Sequence, residues 1–214
     1  MAKKFSLFLS FIILMLTSCD NVEEAYFDNG YLKSTISKKG DNYHGKCTWY
    51  YSNGQKQYEC NYNNNKLDGK ATRYFPSGKV QTIETFKDNS LEGLVKTFDG
   101  DGKISKKENY VNGVLQGPFL NYYPNGKKRI EGGYKEGLYD GKWYYYDTEG
   151  KLVGIGDFKD GKGKQKAWYP NGNLKREISY SDNLKNGKEI WYNEDGSVEK
   201  TLEYMDGDVL SDDR

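Results

Sequence analysis

Apolar and polar positions along residues 45–207 follow a pattern that returns at a nearly constant interval. Each unit begins with a glycine, has an aromatic side chain five residues later and a second glycine nine residues after the first, and ends with another aromatic eight residues on. The first glycines are Gly45, Gly69, Gly93, Gly117, Gly141, Gly163 and Gly187, at spacings of 24, 24, 24, 24, 22 and 24 residues; the second are Gly54, Gly78, Gly102, Gly126, Gly150, Gly172 and Gly196. A fixed period of this length predicts a tandem array whose units pack against their neighbours.

Each unit is predicted to be one β-hairpin. Tyr123-Pro124-Asn125-Gly126 places proline where it pre-sets φ and glycine where a left-handed conformation is needed. This is the three-residue loop of a type I turn followed by a glycine bulge. The sequence therefore predicts an all-β fold, an elongated single-layer antiparallel β-meander or solenoid of about seven hairpin repeats over residues 45–210. The fifth unit lacks two residues between Phe158 and Gly163, so its connection is expected to be tighter.

The turn also predicts which residues lie opposite each other. A three-residue loop puts Tyr122 opposite Lys128 and Leu120 opposite Ile130. Aromatic and aliphatic side chains then pair at Tyr74 and Val80, Phe98 and Ile104, Tyr146 and Leu152, and Tyr192 and Val198. Each such pair stabilises a sheet by about 0.2–1 kcal/mol. Because a shift of one residue moves a side chain to the other face, this register puts Cys47 and Cys60 on opposite faces and predicts two unpaired cysteines.

A second set of aromatic side chains faces away from these aromatic–aliphatic pairs. Trp49, Tyr145 and Trp191 occupy one repeat position there, and Trp143 lies on the same face with Phe119 and Cys47. Aromatics on an open face could stack on sugar rings or serve as anchors of a protein interface. We therefore take Trp49, Trp143, Tyr145 and Trp191 as candidate binding residues. The alternative is that the sheet twists and packs these rings on their neighbours.

The N-terminus predicts export and lipid anchoring. Lys3 and Lys4 precede the apolar stretch Phe5 to Leu16, which is too short to span a bilayer and is typical of a secretory signal. Leu16-Thr17-Ser18-Cys19 resembles the lipobox of bacterial lipoproteins, which implies cleavage after residue 18 and acylation of Cys19. Two or three acyl chains at about 0.8 kcal/mol per CH₂ make a stable membrane anchor. The alternative is an ordinary secreted protein whose cysteine stands there by chance.

The remaining segments divide the chain into one elongated domain and its ends. We predict a signal peptide over 1–18, a tether over 19–25, a degenerate capping half-repeat over 26–44 and a frayed C-terminus over 211–214. Removing residues 1–18 leaves 214 − 18 = 196 residues, with 32 − 2 = 30 basic against 31 acidic side chains. This near-neutral, interspersed charge argues against a nucleic-acid partner, which requires a basic face.

The sequence favours binding over catalysis. His44 is the single histidine, and the chain has no cysteine or histidine spacing typical of a metal site and no phosphate loop. No metal or other cofactor is expected. Carboxylates fall in or beside the turns, so a pair of acids for glycoside cleavage stays open, although short repeats without inserted loops offer no obvious cleft. We do not expect an enzyme.

The repeat resembles a known family. Gly141-Lys142-Trp143-Tyr144-Tyr145-Tyr146, followed by Gly150-Lys151-Leu152 and Phe158, is similar to the MORN-repeat variant of YwqK-type bacterial proteins, and the resemblance covers residues 45 to about 207. It implies the hairpin-array fold. Some members are labelled antitoxins, and other MORN-type arrays are described as membrane-associating or scaffold modules.

Three functional hypotheses follow. The leading one is a membrane-anchored lipoprotein on the periplasmic or surface side of the bacterial envelope, acting as a non-catalytic module that binds another envelope protein. The second is a cell-wall or polysaccharide binder, and the third, implied by the resemblance alone, is an antitoxin or immunity protein. The sequence does not fix the oligomeric state.

Overall fold

The computed structural model describes residues 20–213, which form one antiparallel sheet of 21 strands. The strands are β1 (Asp20–Tyr26), β2 (Leu32–Lys39), β3 (Asn42–Tyr50), β4 (Lys56–Asn63), β5 (Lys66–Leu67), β6 (Gly69–Tyr74), β7 (Val80–Lys87), β8 (Ser90–Leu91), β9 (Gly93–Phe98), β10 (Ile104–Val111), β11 (Val114–Leu115), β12 (Gly117–Tyr122), β13 (Lys128–Lys135), β14 (Leu138–Tyr139), β15 (Gly141–Tyr146), β16 (Leu152–Lys159), β17 (Lys162–Trp168), β18 (Leu174–Ser181), β19 (Leu184–Tyr192), β20 (Val198–Met205) and β21 (Asp208–Asp213). The predicted signal peptide and Cys19 lie outside the described residues.

The sheet is a meander in which each long strand pairs with the next along the chain, from β1 with β2 to β20 with β21. The strands β5, β8, β11 and β14 are two-residue segments within the connections between repeats. The predicted all-β array of seven tandem hairpin repeats in an open antiparallel sheet is confirmed.

The predicted turn is present in all seven repeats. In the first, the backbone N–H of Tyr51 donates to the carbonyl oxygen of Gln55 at 2.8 Å, and that of Gly54 donates to Tyr51 at 2.9 Å. The seven turn glycines have φ between 82° and 91°, a left-handed conformation that glycine adopts at little cost. The three-residue loop with its glycine bulge is therefore confirmed.

The predicted strand register is correct for the pair beside each turn and wrong by one residue for the pairs farther from it. Tyr122 pairs with Lys128 as predicted, but Leu120 pairs with Glu131 and not with Ile130. Arg129 bulges out of the pairing, and the same irregularity follows the turn in every repeat. One extra residue shifts all later pairs by one position.

This second bulge makes Cys47 and Cys60 direct cross-strand partners. The prediction that they point to opposite faces is wrong, although both thiols are free in the structure. They are 0% and 1% exposed and form a core cluster with Ile36 and Ala71.

Both thiols are expected to resist alkylation while the protein is folded. Burial raises the pKa of the Cys60 thiol to about 12 and also raises that of Cys47, so the reactive thiolate is scarce. In a Cys19→Ser variant, iodoacetamide should modify these two residues only as fast as the array opens, and rapidly in denaturant. Mass spectrometry that finds fast labelling of the folded protein would contradict their burial.

Both ends of the array are more regular than the sequence predicted. Asp20–Tyr26 is a strand where a tether was expected, and β1 and β2 form a hairpin whose turn, at Phe27 to Tyr31, has the same bonding as the repeats. Residues 20–25 therefore lie in a strand where a tether was predicted, and the predicted half-repeat over 26–44 begins inside this first hairpin. At the other end β21 pairs with β20, so residues 211–213 are not frayed.

The core lies on one face of the sheet, along a row of cross-strand neighbours through the middle of the strands. We call this the central row; its most buried members are Ile36, Cys47, Cys60, Ala71, Val95, Trp143, Ile178 and Glu189. It lies on the face that the sequence analysis left as a possible open surface. That face is packed because aromatic side chains beside the row, including Tyr62, Phe86 and Phe158, cover it.

Side-chain hydrogen bonds along the turn side tie repeat one to two, four to five, and six to seven. The hydroxyls of Tyr51, Tyr123 and Tyr169 donate to the carbonyl oxygens of Tyr74, Tyr146 and Tyr192, respectively, at 2.8, 2.8 and 2.7 Å. These residues lie beside the turns, one position after the repeated aromatic. Their role in the array is therefore to join neighbouring hairpins.

The shorter fifth unit has the same turn as the other repeats, at Asp147 to Gly150, but lacks the irregularity in strand pairing that precedes the next repeat glycine. Strands β16 and β17 pair without interruption from Gly154 with Ala167 to Lys159 with Lys162, whereas the other repeats break the strand before the repeat glycine or shift register there. The predicted tighter connection is confirmed. Accordingly, of the seven glycines that begin the repeats, Gly163 alone does not have a positive φ.

Candidate binding surface

The structure separates the four predicted binding aromatics. Trp143 is 3% exposed, and its indole N–H donates to the carbonyl oxygen of Gly133 at 3.2 Å. Its ring packs against Phe119, Tyr134 and Tyr139 at centroid distances of 5.4, 5.2 and 4.5 Å. The assignment of Trp143 to a binding surface is wrong, because neighbouring aromatics cover it.

Trp49 and Tyr145 are partly buried. Trp49 contacts Tyr58 in a tilted arrangement, with a ring-centroid distance of 5.8 Å, and packs against the cysteine cluster. Tyr145 lies beside Gly154, where an added Cβ would come within 3.4 Å of the tyrosine Cβ, and burial raises the pKa of its hydroxyl. These two rings serve mainly as walls of the packed face.

Trp191 lines a recess near the C-terminal end of the array. We call this the aromatic recess; it has a volume of about 410 Å³ and is lined by Val153, Ala167, Trp168, Tyr169, Pro170, Lys175, Arg176 and Trp191. Its volume falls within the range of about 300–1,000 Å³ that is typical of ligand pockets. Trp191, one of the four candidates, therefore lines a recess of ligand size.

A small side chain opens this recess. Ala167 occupies the repeat position that holds Trp49 in the first repeat, Tyr145 in the fifth and Trp191 in the seventh. Its cross-strand neighbour in β16 is Gly154, so two adjacent strands have almost no side chain at this level. Tyr145 covers Gly154 from the other side, with its Cδ2 3.5 Å from the position of an added Cβ, so the slot left open for a planar ring lies over Ala167.

Two cations lie over the aromatic walls. The guanidinium of Arg176 is 4.2 Å from the centre of the Trp191 ring, and the ammonium of Lys175 is 5.3 Å from that of Tyr169. Both distances are within the range of cation–π attraction. The recess thus combines apolar walls with fixed positive charge at its rim.

A second, more polar recess adjoins the first. We call this the cationic recess; it shares Tyr169, Lys175, Arg176 and Trp191 with the aromatic recess and adds Lys185, Glu189, Glu199, Lys200, Leu202 and Tyr204. Four cationic side chains therefore line it against two carboxylates. The net positive charge of the two recesses favours an anionic ligand.

One of the two carboxylates is already neutralised inside the protein. Glu189 is 1% exposed and accepts hydrogen bonds from Arg176 Nε at 2.6 Å and Lys185 Nζ at 2.7 Å. Burial by itself would raise the pKa of Glu189, but the Lys185 and Arg176 cations outweigh it, and the pKa is lowered. The three side chains hold the positive rim in place.

The stability of this end of the array is expected to depend on pH through Glu189. Because the pKa of Glu189 is lower in the folded than in the unfolded protein, its contribution is complete above its ordinary pKa of about 4.5 and is lost as the pH falls through the folded value. Urea unfolding from about pH 6 to about pH 3 should show a steeper loss for the wild type than for Glu189→Gln. Equal slopes would show that the ion pairs add nothing.

Sequence reasoning missed most of this site. Trp168 was recognised only as the repeated aromatic of its unit, and Ala167, Lys175 and Arg176 match no motif. The available signal was Ala167, the smallest side chain at a position that holds an aromatic in three of the other six repeats. No group of three or more His, Cys, Asp or Glu residues within 20–213 could hold a metal ion. In the same range, no helix is long and apolar enough to cross a membrane.

Comparison with known proteins identifies the repeat. No curated protein matches the chain. Among solved structures, a crystal structure of a complex of TcdB2, TccC3 and Cdc42 matches with a TM-score of 0.20 and 13% identity, covering 89% of this chain and 16% of that one; this likeness carries no functional argument. The MORN repeat variant matches residues 43–64, 67–88, 91–112, 115–136, 139–160, 162–182 and 185–206. MORN repeats are generally non-catalytic modules for binding or scaffolding, and with seven matches over more than half of its length, this chain belongs to the MORN repeat variant family.

Proposed function

We propose that this protein is a lipid-anchored lipoprotein of the bacterial envelope whose repeat array binds another envelope protein without catalysing a reaction. The observation that carries the binding role is the aromatic recess, where Arg176 stacks over Trp191. Tryptophan, tyrosine and arginine are the residues that most often dominate the binding energy of protein interfaces.

The anchoring part of the proposal depends on the N-terminal sequence. Phe5 to Leu16 is apolar, and Leu16-Thr17-Ser18-Cys19 matches a lipobox. The array begins at Asp20, directly after the cysteine that would be acylated. Such an arrangement would hold the first hairpin close to the membrane surface and leave the recesses at the opposite end of the array.

The test is affinity purification of the tagged protein from solubilised envelopes, with mass spectrometry of what co-elutes. We expect one protein to co-elute with the wild type and to be lost from Trp191→Ala. Tyr26→Ala is the matched control, since it removes an aromatic side chain that is 58% exposed at the other end of the array. We expect Cys19→Ala to leave the membrane fraction.

Other outcomes would replace parts of the proposal. Wall fragments or polysaccharide without a protein would favour the glycan-binding alternative. A co-eluting toxin-like protein encoded beside this gene would favour the antitoxin alternative. Equal membrane association of the Cys19→Ala variant would remove the lipid anchor.

A further inference from the structure

We propose that the aromatic recess binds an aromatic side chain from an acidic segment of the partner protein, while neighbouring carboxylates of that segment pair with Lys175 and Arg176. The inference rests on the proposed function, because it takes the ligand to be a protein. It adds the chemistry by which the partner is recognised.

The lining of the aromatic recess selects an apolar group. Val153, Ala167 and Pro170 provide aliphatic surface, and Trp168, Tyr169 and Trp191 provide three aromatic rings. An aromatic side chain buries about 150–250 Å² and packs on other rings edge-to-face or offset. Ala167 is the position in this lining where the array itself supplies no such ring.

The same lining disfavours a neutral sugar. No carboxylate or amide side chain lines the aromatic recess among the described residues, so sugar hydroxyls inside it would find few acceptors for the hydrogen bonds they lose from water. A ring without hydroxyl groups loses no such hydrogen bonds when it leaves water. The recess therefore fits a protein side chain better than a glycan.

The charges at the rim select an acidic segment. Arg176 has five N–H donors, and Glu189 engages the nitrogens Nε and Nη2, so donors remain for a second carboxylate. Lys175 is exposed beside Tyr169, and the adjoining cationic recess has more cations than acids. Carboxylates on either side of an aromatic side chain would meet this positive field as the ring enters the slot.

The test uses a fluorescent peptide with one tryptophan flanked by aspartates, and the full-length protein purified in mild detergent. Fluorescence polarisation should show saturable binding that weakens with salt. A peptide with lysines in place of the aspartates, and one with alanine in place of the tryptophan, should each bind at least about tenfold more weakly. No binding by the aspartate–tryptophan peptide, or equal binding of all three, would overturn the inference.

A filled recess provides the sharper control. Ala167→Trp introduces a residue that the same repeat position already holds at Trp49 and Trp191, so the variant should fold, which circular dichroism checks. It should bind the peptide at least about tenfold more weakly, as should Lys175→Glu. Thr97→Trp introduces tryptophan at the same position of the third repeat, away from the recess, and should leave binding unchanged. Unchanged binding by folded Ala167→Trp would overturn the inference.

The two proposals can fail separately. If a partner still co-elutes with Ala167→Trp and the peptide does not bind, the recess is not the recognition site, and the interaction module stands. If the peptide binds at the recess but no protein co-elutes from envelopes, the inferred preference for an acidic aromatic segment is supported, and the proposal of an envelope protein partner is contradicted.

Discussion

Replacing Trp143 with alanine is expected to lower the free energy of unfolding by about 3–5 kcal/mol, the range typical of a fully buried tryptophan. The indole lies in the central row and packs against several other aromatic rings, so its removal would leave a cavity that those rings can only partly fill. The indole also lies against Gly132, where a Cβ would come within 2.2 Å of the ring. Trp143 therefore contributes to the packing between repeats four and five.

Urea unfolding followed by circular dichroism would measure the effect. Trp191→Ala is the matched control, because it removes the same side chain from a partly exposed position and should cost at most about half as much. A loss below about 1 kcal/mol for Trp143→Ala would show that the cluster repacks or that this part of the array opens independently.

Gly163→Ala is expected to lower the free energy of unfolding by about 1–3 kcal/mol or more, as overpacking does. An added Cβ would lie 2.0 Å from the carbonyl oxygen of Asp157 and 2.8 Å from Phe158 Cδ1. The closer atom belongs to the backbone of the paired strand, so a side-chain rotation cannot relieve the contact. The two strands would have to separate.

Gly100→Ala is the control for this substitution. Gly100 has no positive φ, no atom lies within 4 Å of the added Cβ, and the same turn position holds Pro76 and Pro124 in other repeats. This variant should be neutral or slightly more stable, by up to about 1 kcal/mol, because it restricts the unfolded chain. Similar destabilisation by both variants would mean that glycine flexibility, and not the close contact at Gly163, sets the cost.

Gly163 also shows how one sequence signature can have two physical causes. Gly141 and Gly187 have φ of 75° and 86°, which favour glycine for conformational reasons. The deletion in the fifth unit removes the bulge before Gly163 and brings the strands together without it. At Gly163, glycine is required because the paired strand leaves no room for a Cβ atom. The sequence predicts a glycine-dependent position in both cases but does not distinguish the reasons.

Local chemistry made the repeat and its turn predictable. The 24-residue period follows from the spacing of glycines and aromatics, and the turn follows from proline and glycine at positions that fix φ. Pairs next to the turn, such as Tyr74 with Val80, are set by loop length alone. These features depend on residues close together in the chain, so the sequence determined them without knowledge of the packing.

Only the tertiary structure decided which face of the sheet packs and where a ligand could bind. The second bulge has no residue signature, yet it turned Cys47 and Cys60 into direct partners. Whether an aromatic is buried, as Trp143 is, or lines a recess, as Trp191 does, depends on side chains one or two strands away. The recess forms where Ala167 lies among side chains from neighbouring strands, such as Arg176 and Trp191, and burial is a property of such assembled neighbours.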